Sequence, residues 1–560
     1  MWPAGDNGGV PIHSRLVSSP RPILVGAGVA ILLVAASVAA FTRFGGDEGG
    51  TATTLAAGSS TTGATTTTAA STTTTTSTTT TTTTTTTIPL HAWVDRSSVG
   101  QPWGTEVRGL ITFRGNPTNS FYGTGPLPAT PEVDWVFPAT PLCGQSTDLG
   151  VTATWCGNGW TGQPVVWERP DGITEVMGGA YDHRFHFIDA ATGEPTRDPV
   201  LTGDIVKGSP TLDPDGFPLV YFGSRDNELR VVALDREQPE VLWSYETPMP
   251  LCTVAGRGGN GTTCFGMWND DWDPAPRVIN DVLFANSENS IFHAWQLNRT
   301  YDAQGMVQVA PELLVQFPAW DDELMANIQS GCTIGVRCVS TSIESTPAFF
   351  EGRVYFGTSA GWVIGLDITN VTAGEVTKVF EYWVGDDVDG SIVIDDEGML
   401  YVPVEWKRFL QRGRDVGQLV KLDPYTDGDP RIWGMFSLTA PPARGGMFST
   451  PALGDGVIYV VTNKGFLVAV DQGTGEEVWI YTLTPSSWSS PVVIGDQLLA
   501  VDYLGTMHAF DLTDPRAPTP LWTFKVGTGT IEATPAVWNG RIYLWNRDGH
   551  LYAIEDAATD

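Results

Sequence analysis

The sequence predicts an all-β fold, an eight-bladed β-propeller with four-stranded blades, on two sets of matched positions. The first is a strand-opening proline, most often as Ser/Thr-Pro, at Pro164, Pro210, Pro276, Pro347, Pro451, Pro491 and Pro535; Ile392 fills the same slot in an eighth unit. The second is a strand that ends on an apolar residue and an acid: Phe187-Ile-Asp189, Ala233-Leu-Asp235, Gly365-Leu-Asp367, Lys421-Leu-Asp423, Ala469-Val-Asp471, Ala509-Phe-Asp511 and Ala553-Ile-Glu555, with Ala294-Trp-Gln-Leu297 as the altered copy. A repeat of about 40 residues, built from four short apolar runs split by turn signals, marks a propeller blade.

The plainest copies begin at Ser449 and Ser489. Strand A opens on the proline, which is tolerated there because it donates no ladder bond. Strand B alternates, as in Val457-Ile-Tyr-Val-Val461. A turn holding Gly465 follows, where a positive φ is easy, and strand C is Phe466-Leu-Val-Ala-Val-Asp471. A Gly-Thr-Gly turn at 473–475 leads to strand D and Trp479. The eighth strand C is followed by Asp560 with no strand D, while an orphan strand D, Val133-Asp-Trp-Val-Phe137, precedes the first strand A. The N-terminal strand is therefore expected to complete the last blade, which removes open sheet edges.

These motifs, with Tyr459, Ala469-Val-Asp471 and Gly475-Glu-Glu-Val-Trp479 as the clearest, resemble the repeats of quinoprotein (PQQ-type) β-propellers over roughly residues 131–556. That superfamily holds quinone-dependent dehydrogenases, a lipoprotein that assists outer-membrane barrel assembly, and binding modules. The resemblance implies the fold and leaves the ligand open.

Four regions are expected. Residues 1–22 form a cytoplasmic N-terminus, 23–41 a transmembrane anchor, 42–88 a disordered Thr-rich stalk and 89–560 the propeller. Residues 23–41 carry no charge and are just long enough to span a bilayer as a helix. Arg15 and Arg21 precede them, which puts the N-terminus inside and the propeller outside a bacterial cell membrane. A signal peptide cut at Ser37-Val-Ala39 or Val38-Ala-Ala40 is the competing reading. Residues 51–87 have no core to bury. The formal charge of −32 and the lack of basic clusters exclude nucleic acid as a partner.

The six cysteines fall into three near pairs, Cys143/Cys156, Cys252/Cys264 and Cys332/Cys338. An even count in an exported domain suggests disulfides, and local pairing is expected because each pair lies within one loop. Each of those loops joins a strand D to the next strand A. They run 29 residues from Trp135 to Pro164, 33 from Trp243 to Pro276 and 32 from Val315 to Pro347, against 12 from Trp479 to Pro491. In a propeller these loops and the B-to-C turns emerge on one face around the central channel. Long loops in compact domains tend to carry function, or here to plug the channel.

The same topology nominates the residues of that face. The expected ligand-binding set is Trp160, Asp182, Asp226, Trp268, Asp271, Glu288, Asn289, Glu344, Asp389, Glu405, Arg444 and Glu532, with Lys207, Arg225, Asp273, Trp488 and Arg547 on the same face. Tryptophans beside carboxylates suit a sugar, a peptide or a flat cofactor. Asp386, Asp387 and Asp389 are weak calcium candidates, because their D-D-x-D-G spacing departs from the calcium-loop pattern.

Two function classes follow. One is a membrane-tethered binding or scaffold module for a protein, peptide or glycan of the cell envelope. The other is a dehydrogenase of alcohols or sugars using PQQ and calcium. No motif calls for either cofactor. The chain has no Cys-Cys dipeptide, which the superfamily's dehydrogenases place beside the quinone, and no haem-attachment C-x-x-C-H. No hydrolase motif H-E-x-x-H or G-x-S-x-G is present, and no catalytic residue is assigned. Oligomeric state is not predicted.

Overall fold

The computed structural model describes residues 93–558, apart from 105, 149–150, 161, 247–251, 256–261, 265–270, 322–340, 440–442 and 484–485. The expected anchor at 23–41, its flank at 1–22 and the stalk at 42–88 lie outside the described residues. Among the described residues no helix is long and apolar enough to cross a membrane.

Eight antiparallel sheets carry the eight predicted blades, each with strands A, B, C and D hydrogen-bonded in that order. The A strands are Val165–Glu168, Thr211–Leu212, Arg277–Ile279, Ala348–Phe350, Val393–Ile394, Ala452–Leu453, Val492–Ile494 and Ala536–Trp538. Each starts within one residue of the predicted proline slot, and the A strands of blades 8 and 1, 1 and 2, 4 and 5, and 6 and 7 touch. In blade 8 the outer strand is Pro131–Phe137, paired with His550–Asp556 so that Val133 faces Ile554 and Val136 faces Tyr552. The closure read from the orphan strand is the closure observed.

The repeat motifs have structural causes. In blades 2 to 8 the C and D strands slip register by a bulge, as between Ala469 and Val470 or Ala509 and Phe510. A bulge raises local twist, and the twist turns the outer strand toward the next blade. There its tryptophan docks: Trp135 Nε1 donates to the Ala190 carbonyl at 3.0 Å and Trp433 Nε1 to the Gln472 carbonyl at 3.2 Å. The tryptophan lies on the glycine of the neighbouring C-to-D turn. A Cβ on Gly475 would meet Trp433 at 2.6 Å, and one on Gly193 would meet Trp135 at 2.7 Å. Both glycines also hold positive φ, 76° and 73°, so the Gly-Glu signature serves turn and docking together.

The Ser/Thr before the strand-opening proline builds a ring. The backbone N–H of Thr346 donates to Ser391 Oγ, Ser391 N–H to Thr450 Oγ1, Thr450 N–H to Ser490 Oγ and Ser490 N–H to Thr534 Oγ1, at 2.9–3.3 Å. Gln163 N–H likewise donates to Ser209 Oγ at 3.0 Å, and Ala275 N–H to Thr346 Oγ1 at 3.0 Å. Neighbouring blades are thus joined hydroxyl to amide around the axis. Thr450→Val strands the buried Ser391 N–H. The expected cost is about 1–3 kcal/mol in urea unfolding; a change below a few tenths would show that the ring bonds are replaceable by water.

Below this ring a segment outside the repeat fills the axis. Residues 108–124 reach the inner strand region of every blade. Leu110 pairs with Val166 in blade 1, Leu212 N–H donates to the Ile111 carbonyl in blade 2, and Arg277 of blade 3 donates to the Phe113 carbonyl. Phe349 N–H donates to Pro117 O in blade 4 and Ile394 N–H to Thr118 O in blade 5. Arg114 donates to the carbonyls of Pro451 and Pro491 in blades 6 and 7, each at 2.7 Å, and Thr124 N–H donates to Val537 O in blade 8. Thr112, Arg114, Asn116, Thr118 and Asn119 are all buried. This segment plugs the channel, a role that the sequence had offered only as the alternative to binding for the long loops.

The first long loop folds as a hairpin, Cys143–Asp148 against Val151–Cys156, and the predicted Cys143–Cys156 disulfide closes its base with a Cα separation of 4.1 Å. In the second, Cys252 and Cys264 are backbone register partners in the hairpin Cys252–Ala255 against Thr262–Cys264. Cys332 and Cys338 lie outside the described residues. Blade 5 enlarges its B-to-C connection with Glu405–Trp406, paired to Gly445–Gly446, and a short helix, Gln411–Val416.

Candidate functional site

One backbone bond repeats above the ring in every blade and shapes the cup there. The first residue of the B-to-C turn donates its N–H to a carbonyl on the approach to strand A. The pairs are Tyr181 to Gly157, Arg225 to Ile205, Glu288 to Asp271, Ser359 to Ser342, Glu405 to Asp387, Asn463 to Gly446, Tyr503 to Ser486 and Arg547 to Thr530, at 2.7–3.0 Å. In blades 2 to 8 the residue two further on, three before the proline slot, is Lys207, Asp273, Glu344, Asp389, Phe448, Trp488 and Glu532. The fold therefore sets two or three chosen side chains per blade around the mouth of the axis.

Read around the ring, those side chains divide into two arcs. Blades 2 to 5 are ionic. Lys207 Nζ lies 2.7 Å from Asp271, 2.5 Å from Asp273 and 3.4 Å from Glu288, and Arg225 Nε is 3.4 Å from Asp271. Blade 5 repeats the three carboxyls at the same positions: Lys407 Nζ contacts Asp387, Glu405 at 3.0 Å and Asp389 at 3.7 Å. Lys207 comes from the neighbouring blade, whereas Lys407 comes from blade 5's own enlarged turn. Two unrelated sequence positions deliver an ammonium to equivalent carboxyl triads. Glu344 stands between the triads, half-buried, with a 3.5 Å contact from Ser359 Oγ.

Blades 6 to 8 and blade 1 are aromatic. Phe448 packs on Trp488 at 5.2 Å and Trp488 on Tyr503 at 5.6 Å. Trp160, from blade 1, reaches across to blade 6: its ring meets Phe448 edge-on at 5.9 Å, and its Nε1 donates to the Phe448 carbonyl at 3.3 Å. Arg547 pairs with Glu532 at 2.9 Å and lies over Trp155 and Tyr181. Lys407 Nζ, 5.9 Å from the Phe448 ring centre, joins the two arcs.

Burial sets the protonation of the ionic arc. It pushes Glu288 well above the usual carboxyl range despite Lys207, and it raises Asp271 against the pull of Lys207 and Arg225. Burial also raises Asp389 well above its ordinary value, helped by the charges of Asp387 and Glu344, and raises Glu405 against Lys407. Asp387 goes the other way, because Lys407 and Arg408 outweigh its burial. Glu344 is pushed up to about 7 by burial and by the nearby Asp387. Despite the lysines, Asp271 Oδ1, Glu288 Oε2 and Glu405 Oε1 are buried without a hydrogen-bond partner among the described residues.

Of the nominated residues, Asp271, Glu288, Glu344, Asp389 and Glu405 come together in the ionic arc, and the charge of Arg444 acts on Glu405. Trp160 and Glu532 lie in the aromatic arc. Asp182 and Asp226 are engaged within their own blades. They brace their own B-to-C hairpins, Asp182 on His186 at 3.1 Å and Asp226 on Arg230 at 3.0 Å. Asn289 caps its turn, accepting from Ile291 N–H at 3.0 Å. Trp268 lies outside the described residues. Asp386 departs from the calcium set: its carboxylate accepts the backbone N–H groups of Lys407 and Arg408 at 2.9 Å, while Asp387 and Asp389 turn to the lysine.

Comparison with known proteins supports the repeat type. Residues 415–555 match the family model described as outer membrane protein assembly factor BamB. The PQQ-like repeat read from the sequence is borne out over those residues, and the chain folds as an eight-bladed β-propeller. The dehydrogenase subunit of alcohol dehydrogenase (quinone) from Gluconacetobacter polyoxogenes is 28% identical over 110 residues, 20% of this chain and 10% of that protein, and the one from Komagataeibacter europaeus matches equally. The match thus spans about a tenth of the curated relatives' length. Similar solved structures include BamB from Moraxella catarrhalis, at 14% identity and TM-score 0.44, covering 77% of this chain and 99% of that one. Quinohemoprotein alcohol dehydrogenase from Comamonas testosteroni is 13% identical with TM-score 0.48, covering 81% of both chains.

Proposed function

We propose that this chain is a binding module, tethered to a bacterial cell membrane by residues 23–41 and held off it by the 42–88 stalk. Its cup takes up part of a protein, peptide or glycan of the envelope. One observation carries the reading. The axis is filled from below by residues 108–124, so the positions that break from the plain repeat are reached from the loop-bearing face alone. A ring of repeated backbone bonds makes a rigid mount for such a site.

The quinone-dependent dehydrogenase is the second reading, and the short match to alcohol dehydrogenases favours it. The residues present do not fit its calcium–quinone pair. Both carboxyl triads that could hold an ion already enclose an ammonium, and Trp160 bonds across the cup to blade 6.

A photocrosslinking residue placed at Trp488 in the full-length chain, in native envelopes, is expected to yield a discrete adduct identifiable by mass spectrometry. The same residue at the exposed outer-strand Leu521 is expected to yield none. Equal adducts from both, or none from Trp488, would sink the binding reading.

A further inference from the structure

We propose that the cup recognises an organic cation, an ammonium or guanidinium group presented by a peptide, with Glu344 as its anchor and the Phe448–Trp488 arc as an adjoining wall. The proposal rests on the binding-module reading and names the chemistry that such a module accepts.

Three observations carry it. First, the cup already holds ammonium groups twice, at Lys207 and Lys407, each among three carboxyls delivered by equivalent positions of blades 3 and 5. The donor geometry suits that group. Second, the carboxyls outnumber the internal cations. Among the described residues, buried oxygens of Asp271, Glu288 and Glu405 remain without hydrogen-bond partners, a state that costs free energy until a donor or cation arrives. Third, the carboxyl left outside both lysine clusters is the accessible one. Among the described residues Glu344 makes a long hydroxyl contact and no salt bridge, and it is half-buried where its triad neighbours are buried. Further round the ring, past Lys407, stand the aromatic faces of Phe448 and Trp488, which attract a cation and cover its methylene stem.

Protonation gives the proposal a signature. Glu344 is surrounded by Asp273, Glu288, Asp387, Asp389 and Lys407, and its carboxyl is pushed up to about 7. An incoming cation displaces that proton. Binding therefore tightens as pH rises through about 7 and weakens as the carboxyl is protonated below it.

Isothermal titration of the full-length chain in detergent tests this, with capped pentalysine and pentaarginine as probes and fully acetylated pentalysine as the neutral control. A chain of charge −32 attracts any polycation loosely, so variants decide. Glu344→Gln is expected to weaken pentalysine or pentaarginine at least tenfold and to flatten the pH dependence. Trp488→Leu is expected to weaken them severalfold. Glu477→Gln, which removes the same charge from an exposed outer strand, is expected to leave affinity unchanged. Equal effects of the Glu344 and Glu477 variants would overturn the proposal. So would Glu344-dependent binding of acetylated pentalysine, of an uncharged N-acetylglucosamine tetramer, or of calcium in place of the cationic peptides. None of these results would remove the photocrosslinking evidence for a binding module, so the two readings fail separately.

Discussion

Lys207→Met is expected to lower the unfolding free energy by about 3–5 kcal/mol at pH 7.5, because it strips the counter-ion from three buried carboxyls. Lys207 and its partners Asp271, Asp273 and Glu288 are each at most 3% exposed, so water offers little replacement. The loss must depend on pH, with a fixed sign. Burial holds Asp271 and Glu288 above the ordinary carboxyl range even beside the lysine, and its removal raises them further. A carboxyl whose folded value is raised contributes stability below its unfolded value, near 4, and loses it as pH rises through the folded value. The deficit of the variant should therefore shrink steadily from pH 7.5 to pH 5. The lysine's own amine is held well above its usual value by Asp271, Asp273 and Glu288 against the effect of burial, so its contribution is constant across that range. Urea unfolding at three pH values checks both points; a deficit independent of pH would mean that the triad reorganises or hydrates. Lys407→Met should cost less, since that lysine keeps about a fifth of its surface exposed.

Arg114→Leu is expected to cost about 2–4 kcal/mol and to loosen blades 6 and 7 ahead of the rest. The guanidinium ties the Pro451 and Pro491 carbonyls together at 2.7 Å each and lies 4.1 Å from the Tyr122 ring centre. Each stranded carbonyl costs about 1–3 kcal/mol. Part of that is offset, because burial pulls Arg114 down to about 10 and the leucine ends that desolvation. Amide exchange reads the location: protection at Leu453, whose N–H donates to the Tyr122 hydroxyl, should fall while blade 3 is unchanged. Uniform loss across all blades would show that the plug acts as a single body.

The ring was legible because it repeats. Pro451 and Ala469-Val-Asp471 recur at fixed offsets, so each copy corroborates the others, and an orphan strand at Val133–Phe137 had one place to go. The candidate site was legible by subtraction: residues three before the proline slot should be interchangeable, and Lys207, Asp273, Glu344, Asp389 and Trp488 are not. Two things were hidden. The plug at 108–124 has no period, and its contacts span hundreds of residues, so nothing local announces them. Asp182 and Asp226 looked like rim ligands because a turn carboxylate is ambiguous until its partner is known. The available signal was a base four residues on, His186 and Arg230, which places the cation across the same hairpin. The Ser/Thr of Ser/Thr-Pro was read as a strand signal, while its hydroxyl serves the neighbouring blade.

The plug also bears on how the molecule is made. Arg114 leaves the ribosome long before its acceptors: 337 residues separate it from Pro451 and 377 from Pro491. The axial segment is thus born before the blades that enclose it, and until blades 6 and 7 are synthesised the Arg114 guanidinium lacks its carbonyl acceptors. Synthesis at 5–20 residues per second leaves that gap open for tens of seconds. High contact order of this kind slows folding and favours a late, all-or-none closure. Blades 1 to 7 alone would then be an open horseshoe around an unfinished hub, and the hub becomes ordered when Pro131–Phe137 takes its place against His550–Asp556.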